Sequence, residues 1–315
     1  MIQDGKDTLD LIMADSFGKK VLASADLDMA SMTELLELSI CWVSGIFWTN
    51  LTVKRSKRQP PDMGGLLNMK IIISPTKKMK REEFISPNAK PLFLDKTKEI
   101  LDYLNSLTRE EKARVWKVKG KLLEENLERL GEIDLSVSGS PALFSYDGIQ
   151  FTYMSPSSFT DDMLSYCEDK LRIISGFYGL LRPLDGIVPY RLEMESKINI
   201  FGKGNLYKYW GCDIASELEK DESIILNLAS EEYSKAVIPY LNEGIEVITP
   251  VFLEEEDGLV VTKGVYAKMA RGEMVRFLSQ NNITDIEGIK EFSISGYHYS
   301  PSLSTNEKMA FVRKE

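Results

Sequence analysis

Between residues 171 and 194 the chain reads LRIISGFYGLLRPLDGIVPYRLEM, and no other segment restricts the fold as much. Gly176 and Gly179 sit where an apolar run with a helical pattern ends. Glycine reaches backbone conformations that other residues avoid, whereas Pro183 and Pro189 fix φ and forbid a helix from continuing. Arg172, Arg182 and Arg191 alternate with Asp185, Glu193 and, just beyond, Glu195. These residues specify a bent, rigid, arginine-bearing loop that is either part of a functional site or a structural keystone.

The 315 residues suffice for a sizeable core, built as one large domain or two smaller ones. With 43% apolar and 28% charged residues the composition is that of a globular protein. No run of about 18 uninterrupted apolar residues occurs, so a transmembrane helix is unsupported. Cys41, Cys167 and Cys212 stand far apart with no C-x-x-C pair, which suits free thiols in a reducing cytoplasm. His298 is the sole histidine, which removes most histidine-based metal sites, and any Ser-His-Asp or Cys-His arrangement depends on that residue. No spacing calls for a metal or a cofactor, and no catalytic motif is established. The net charge of -9 is unevenly spread: residues 69–121 hold fourteen Lys and Arg against seven Asp and Glu, and residues 122–315 hold 18 against 32. A basic segment on an acidic body reads either as a phosphate footprint or as a solvated helix surface.

Residues 1–68 differ from the rest. The apolar run in residues 35–53 is too short and interrupted to span a bilayer, although the basic residues Lys54, Arg55, Lys57 and Arg58 after it leave a membrane anchor as an alternative. Gly64-Gly65 lies a short spacer before Met69. A purine-rich ribosome-binding site read in frame encodes such a pair, so synthesis is expected to start at Met69.

From Met69 onward the pattern is that of a compact α/β domain. Residues 70–74 (KIIIS) form a buried strand ended by Ser74-Pro75, and the basic turn with Lys77 and Lys78 leaves its carboxyl end. Residues 91–107 have helical spacing, and Thr108 with Glu111 makes a T-x-x-E capping box for a second helix that Gly120 interrupts. Residues 142–154 read as a kinked strand or as a short helix ending at Gly148, and Thr160 caps a helix running toward Ile174. Residues 206–218 form an aromatic-rich helix and residues 223–228 a second buried strand. Ser230 then stands as N-cap ahead of Glu231, Glu232 and Tyr233. A hairpin turns at residues 254–258. In the helix of residues 266–278, Lys268, Arg271 and Arg276 fall opposite Met269, Ala270, Met274 and Phe277 as a candidate anion-binding face. Two closing strands end the chain.

The runs Ser175-Gly-Phe-Tyr-Gly-Leu-Leu-Arg-Pro-Leu-Asp185, Pro189-Tyr-Arg-Leu-Glu-Met194, Tyr209-Trp-Gly211, Asn227-Leu-Ala-Ser-Glu-Glu-Tyr233 and Tyr266-Ala-Lys-Met-Ala-Arg-Gly272, with Ile73-Ser-Pro-Thr-Lys77, resemble the YaaA family of peroxide stress resistance proteins over residues 69–315. The resemblance implies a cytoplasmic protein that limits free intracellular iron. It further implies a mixed α/β fold with a basic cleft, DNA binding, and a helix-hairpin-helix-like element at residues 175–183. Two positions depart from the family pattern: Gly148-Ile-Gln-Phe151 lacks the acid after glycine, and Met269 replaces a lysine.

Two functions follow as expectations. Sequence-independent DNA binding would use Lys77, Arg172, Gly176, Gly179, Arg182, Arg191, Lys268 and Arg271, because hairpin N–H groups and cations meet phosphates without reading bases. Pro183 leaves the second helix of such a hairpin barely one turn. The alternative is an enzyme or binder acting on a nucleotide or nucleobase, in a pocket of those arginines with Asp185, Glu193, Asn227, Ser230, Glu231 and Tyr233. An internal ion-pair network locking the Pro-rich loop explains the same residues structurally.

Overall fold

The structure, a computed structural model, describes residues 7–14, 20–27, 68–82, 84–220, 223–256 and 258–314. The apolar run at 35–53 and its basic sequel lie outside them. The chain divides into two compact units, residues 1–64 and 65–315. In the first, strand β1 (Asp7–Ala14) pairs antiparallel with β2 (Lys20–Leu27), Asp7 opposite Leu27 and Ala14 opposite Lys20.

The second unit is α/β and is built on an eight-stranded mixed sheet. Its middle is three parallel strands, β3 (Met69–Ile73), β4 (Leu171–Ser175) and β6 (Ile224–Leu228), with β3 between the other two. The sequences MKIII and IILNL are predominantly apolar, as expected of strands covered on both faces. On one side β4 turns antiparallel into β5 (Gly179–Leu181). On the other, β7 (Glu246–Glu256) runs parallel to β6, and carries both its hairpin partner β8 (Leu259–Val261) and the parallel strand β10 (Lys308–Lys314). β9 (Tyr297–Tyr299) closes the sheet antiparallel to β10.

Between β3 and β4 lie helices α1 (Leu94–Ser106), α2 (Arg109–Trp116), α3 (Lys121–Gly131), α4 (Ile149–Met154) and α5 (Asp161–Lys170). The capping box forms: Thr108 N donates to Glu111 Oε2 at 2.8 Å, and Glu111 N to Thr108 Oγ1 at 3.3 Å. Left-handed Lys117 and Gly120, at φ 53° and 59°, break α2 from α3. α6 (Leu206–Trp210) ends at Gly211, φ 51°, which splits the single helix expected over 206–218. α7 (Gly264–Gln280) packs against α4 and α5.

Three further expectations are corrected. Residues 171–181 are a β-hairpin, not a helix end or a helix-hairpin-helix: α5 stops at Lys170, and residues 176–181 are buried. Ser175 Oγ accepts Phe177 N at 3.2 Å and Tyr178 N at 2.9 Å, which holds the turn, and Gly179 at φ 75° completes it. Residues 142–154 are neither a kinked strand nor a helix ending at Gly148. A one-turn helix at Ala142–Ser145 and a two-residue strand precede Gly148, and α4 starts after it. Ser230 stands at an N-cap position, but its side chain makes no cap bond.

Candidate functional site

Because β3, β4 and β6 are parallel, their carboxyl ends reach one sheet edge, the usual ligand position in open α/β sheets. Ser74 follows β3 and Ser230 follows β6. Ser230 N donates to Ser74 Oγ at 2.8 Å, and that hydroxyl donates to Ser230 Oγ at 3.1 Å. Asn227 Oδ1 accepts Ala229 N at 3.1 Å, and its Nδ2 donates to Thr249 Oγ1 on β7 at 3.2 Å. The basic turn and the Pro-rich loop meet at Glu193, whose carboxylate takes Lys77 Nζ at 2.8 Å and Arg191 Nη2 at 3.1 Å.

Behind them runs a hydroxyl chain. Ser175 Oγ accepts two backbone N–H groups, so its own proton goes to Tyr190 OH at 2.7 Å. Tyr190 OH in turn lies 2.9 Å from Tyr146 OH. Burial pushes the Tyr190 phenol up to about 12, and Tyr146 and Tyr233 are likewise raised by burial. All three are therefore neutral at physiological pH. Glu232, half-buried, has its carboxyl raised first by burial and then by the charges of Glu195 and Glu193.

The seam between α4 and α7 adjoins this edge through Gly148, where a Cβ would lie 2.7 Å from Thr76 Cγ2. Gly272 on α7 sits directly on α4: a Cβ there would lie 2.1 Å from Gln150 O. Two buried donors on these helices, one on α4 and one on α7, have no acceptor. Gln150 is 6% exposed with Nε2 unpartnered, and Arg271 Nε is buried and unpartnered. No carboxylate of the described residues pairs with Arg271, and burial alone lowers its pKa. Among the described residues no cluster of three His, Cys, Asp or Glu side chains is placed to hold a metal ion.

A profile described as peroxide stress protein YaaA matches residues 69–303. The chain belongs to the YaaA family. A UPF0246 protein of Desulfitobacterium hafniense is 49% identical over 246 residues, which is 78% of this chain and 98% of that relative. One from Agathobacter rectalis is 44% identical over 247 residues, 78% of this chain and 99% of that protein. One from Limosilactobacillus reuteri is 44% identical over 245 residues, 77% and 98%.

The YaaA-type motifs have divided fates. Lys77, Arg191, Glu193, Asn227, Ser230 and Tyr233 do lie at or just behind the carboxyl edge. Others serve the scaffold. Arg172 is spent on Glu168 O and Leu171 O at 2.8 and 2.7 Å, and Gly176 and Gly179 are sealed in the hairpin. Arg182 grips Asp185, which is 0% exposed and accepts Arg182 N, Nε and Nη2 at 2.8, 3.0 and 2.8 Å. Burial nevertheless raises the Asp185 carboxyl, outweighing those bonds. Glu231 is exposed and pairs with Lys235 at 2.6 Å. The anion face of α7 also dissolves: Lys268 is exposed, Arg271 has its Nε buried, and Arg276 caps α4 through Met154 O and Ser155 O, both at 3.3 Å. Sequence reasoning missed Ser74, Thr76, Tyr146, Gln150, Ser175, Tyr190 and Glu232. Only Ser74-Pro75 and Ser175-Gly176, each closing an apolar strand, signalled such positions.

Proposed function

We propose that the protein serves the peroxide stress response by holding a phosphate-bearing nucleotide at the carboxyl edge of its central strands. One observation carries this reading: Arg271 keeps a buried guanidinium nitrogen without an acceptor and without a carboxylate partner among the described residues. A buried cation is costly unless paired, and an arriving oxyanion is the pairing that a planar guanidinium fits best. Gln150 Nε2, on the helix α4 that packs against α7, is a second buried donor without an acceptor. The Ser74 and Ser230 hydroxyls and Asn227 line the neighbouring edge, where the sugar or base would rest. Neutral buried tyrosines bring no negative charge to repel the ligand.

Titration of the full chain with inorganic phosphate, AMP and dAMP tests this. Saturable binding that weakens at least tenfold in Arg271→Met supports it, and equal affinity in the variant overturns it.

Sequence-independent DNA binding is the second reading, favoured by the exposed run Lys77, Lys78, Lys80 and Arg81 after β3. Three of these charges already face Glu193, Asp147 and Glu132, which leaves few cations for a phosphate backbone. That reading predicts binding with a steep salt dependence that flattens in Lys80→Ala with Lys268→Ala. For either ligand we infer a cytoplasmic role that lowers free iron and oxidative DNA damage, a reading supported by family membership.

A further inference from the structure

Two other buried donors lack acceptors, and both belong to residues that line one small void. Trp116, the last residue of α2, is 3% exposed and its Nε1–H has no partner. Arg191 on the Pro-rich loop gives Nη2 to Glu193, but its Nε–H is buried and unanswered. Asn126 on α3, 2% exposed and on the same wall, supplies the opposite polarity. Its Nδ2 donates to Leu122 O at 2.6 Å, which sets the orientation of the amide and leaves Oδ1 with no donor among the described residues.

The void is about 10 Å³, near the least that holds one water molecule, roughly 10–15 Å³. No organic ligand fits that volume. Leu104, Leu130 and Phe177 add apolar wall, and Tyr190 OH is already committed to Ser175 and Tyr146. Arg129, also on the wall, is half-buried, so solvent answers its charge. Two donors and one acceptor are the complement of a single water, which accepts two hydrogen bonds and returns one or two. A halide would meet the donors but also the amide oxygen of Asn126, and an ammonium ion would meet two N–H groups.

We propose that this void is a site for one internal water molecule, which accepts from Trp116 Nε1 and Arg191 Nε and donates to Asn126 Oδ1. The water ties α2 and α3 to the Pro-rich loop. It also makes Trp116 a positioning residue, because Arg191 holds Glu193 and Glu193 takes Lys77 Nζ at 2.8 Å at the carboxyl edge. The site is separate from Arg271 and does not depend on the nucleotide reading.

Nuclear magnetic resonance of the full chain, isotope-labelled at tryptophan and arginine, tests this in solution. The chain has four tryptophans, Trp42, Trp48, Trp116 and Trp210. Trp42→Phe and Trp48→Phe remove two of the indole signals and Trp116→Phe a third; should Trp116→Phe not fold, the signal displaced in Arg191→Lys identifies Trp116. A dipolar cross-peak from water to the Trp116 indole N–H, and another to Arg191 Nε–H, are the predicted result. Trp210 is the internal control: its Nε1–H donates to Gly176 O at 3.1 Å and should show no such cross-peak. Arg191→Lys keeps the charge and removes the Nε donor, so the Trp116 cross-peak should be lost while the indole signal remains. A Trp116 indole without a water cross-peak overturns the proposal, and a cross-peak unchanged in Arg191→Lys overturns the bridge. Titration with potassium bromide completes the test. A saturable shift of the Trp116 signal that removes the water cross-peak would make this an anion site and overturn the proposal, whereas no saturable shift supports it.

Discussion

Arg271, partly buried, and Asp185, fully buried, show how differently two charges can be used. Asp185 is fully sheltered, yet three N–H groups of Arg182 satisfy it, and the pair locks the turn after the hairpin. Asp185→Ala is expected to destabilise the protein by about 2–3 kcal/mol in denaturant titration, less than for a fully buried pair because the Arg182 side chain reaches solvent. Arg271 has the opposite character. If its guanidinium waits for a ligand, Arg271→Met removes a partly buried charge with an unpartnered Nε and should leave the empty protein at least as stable while weakening phosphate binding. A purely structural arginine would lose stability on the same exchange. The sequence marked both residues as polar candidates, but nothing in it separates a spent arginine from a waiting one, since that difference lies in partners brought from distant segments. Gln150 was visible only as part of Gly148-Ile-Gln-Phe151, a departure from the family pattern, with nothing to mark its amide as a donor.

The elements were more legible than their junctions. β3 and β6, the capping box of α2, the helix α7 and the hairpin β7–β8 all follow from local pattern, because apolar runs, capping pairs and helical periodicity are set by neighbours in sequence. The hairpin β4–β5 did not, since a short apolar run does not distinguish a buried strand from a helix segment. Its glycines act through space. Gly179 combines φ 75° with a site where a Cβ would lie 2.8 Å from Trp210 Cζ3 and 3.0 Å from Phe93 Cδ2. Gly179→Ala should therefore cost about 2–4 kcal/mol, from left-handed strain plus overpacking, measured as a lower midpoint in thermal unfolding. Gly272→Ala should push α7 off α4, because helix backbones do not yield to a Cβ 2.1 Å from a carbonyl oxygen. It should lose ligand binding along with stability.

In the second unit, the parallel order of β3, β4 and β6 turns three separated motifs into one edge; the sequence pattern placed the basic turn at the end of the first strand, but not the strand order that brings the others beside it. That topology also crowds acids at the Pro-rich loop, with a consequence for pH. Glu232 has a folded-state pKa raised above the ordinary glutamate value, so the folded protein holds that proton more tightly than the unfolded chain. Its contribution to stability therefore falls as pH rises from the ordinary carboxylate range through the raised value. Glu232→Gln should flatten that decline in stability curves taken between about pH 4.5 and 7 and should stabilise the protein at neutral pH; an unchanged slope would show that Glu232 is not the group responsible.

Calorimetric titration of the full chain and of Arg271→Met with dAMP, AMP and inorganic phosphate, each paired with its unfolding curve, tests the phosphate site most directly. Saturable binding by the unaltered protein, lost in a variant that is at least as stable, is the predicted result. A chain that binds none of the three, or a stable Arg271→Met protein that binds them unchanged, would contradict it.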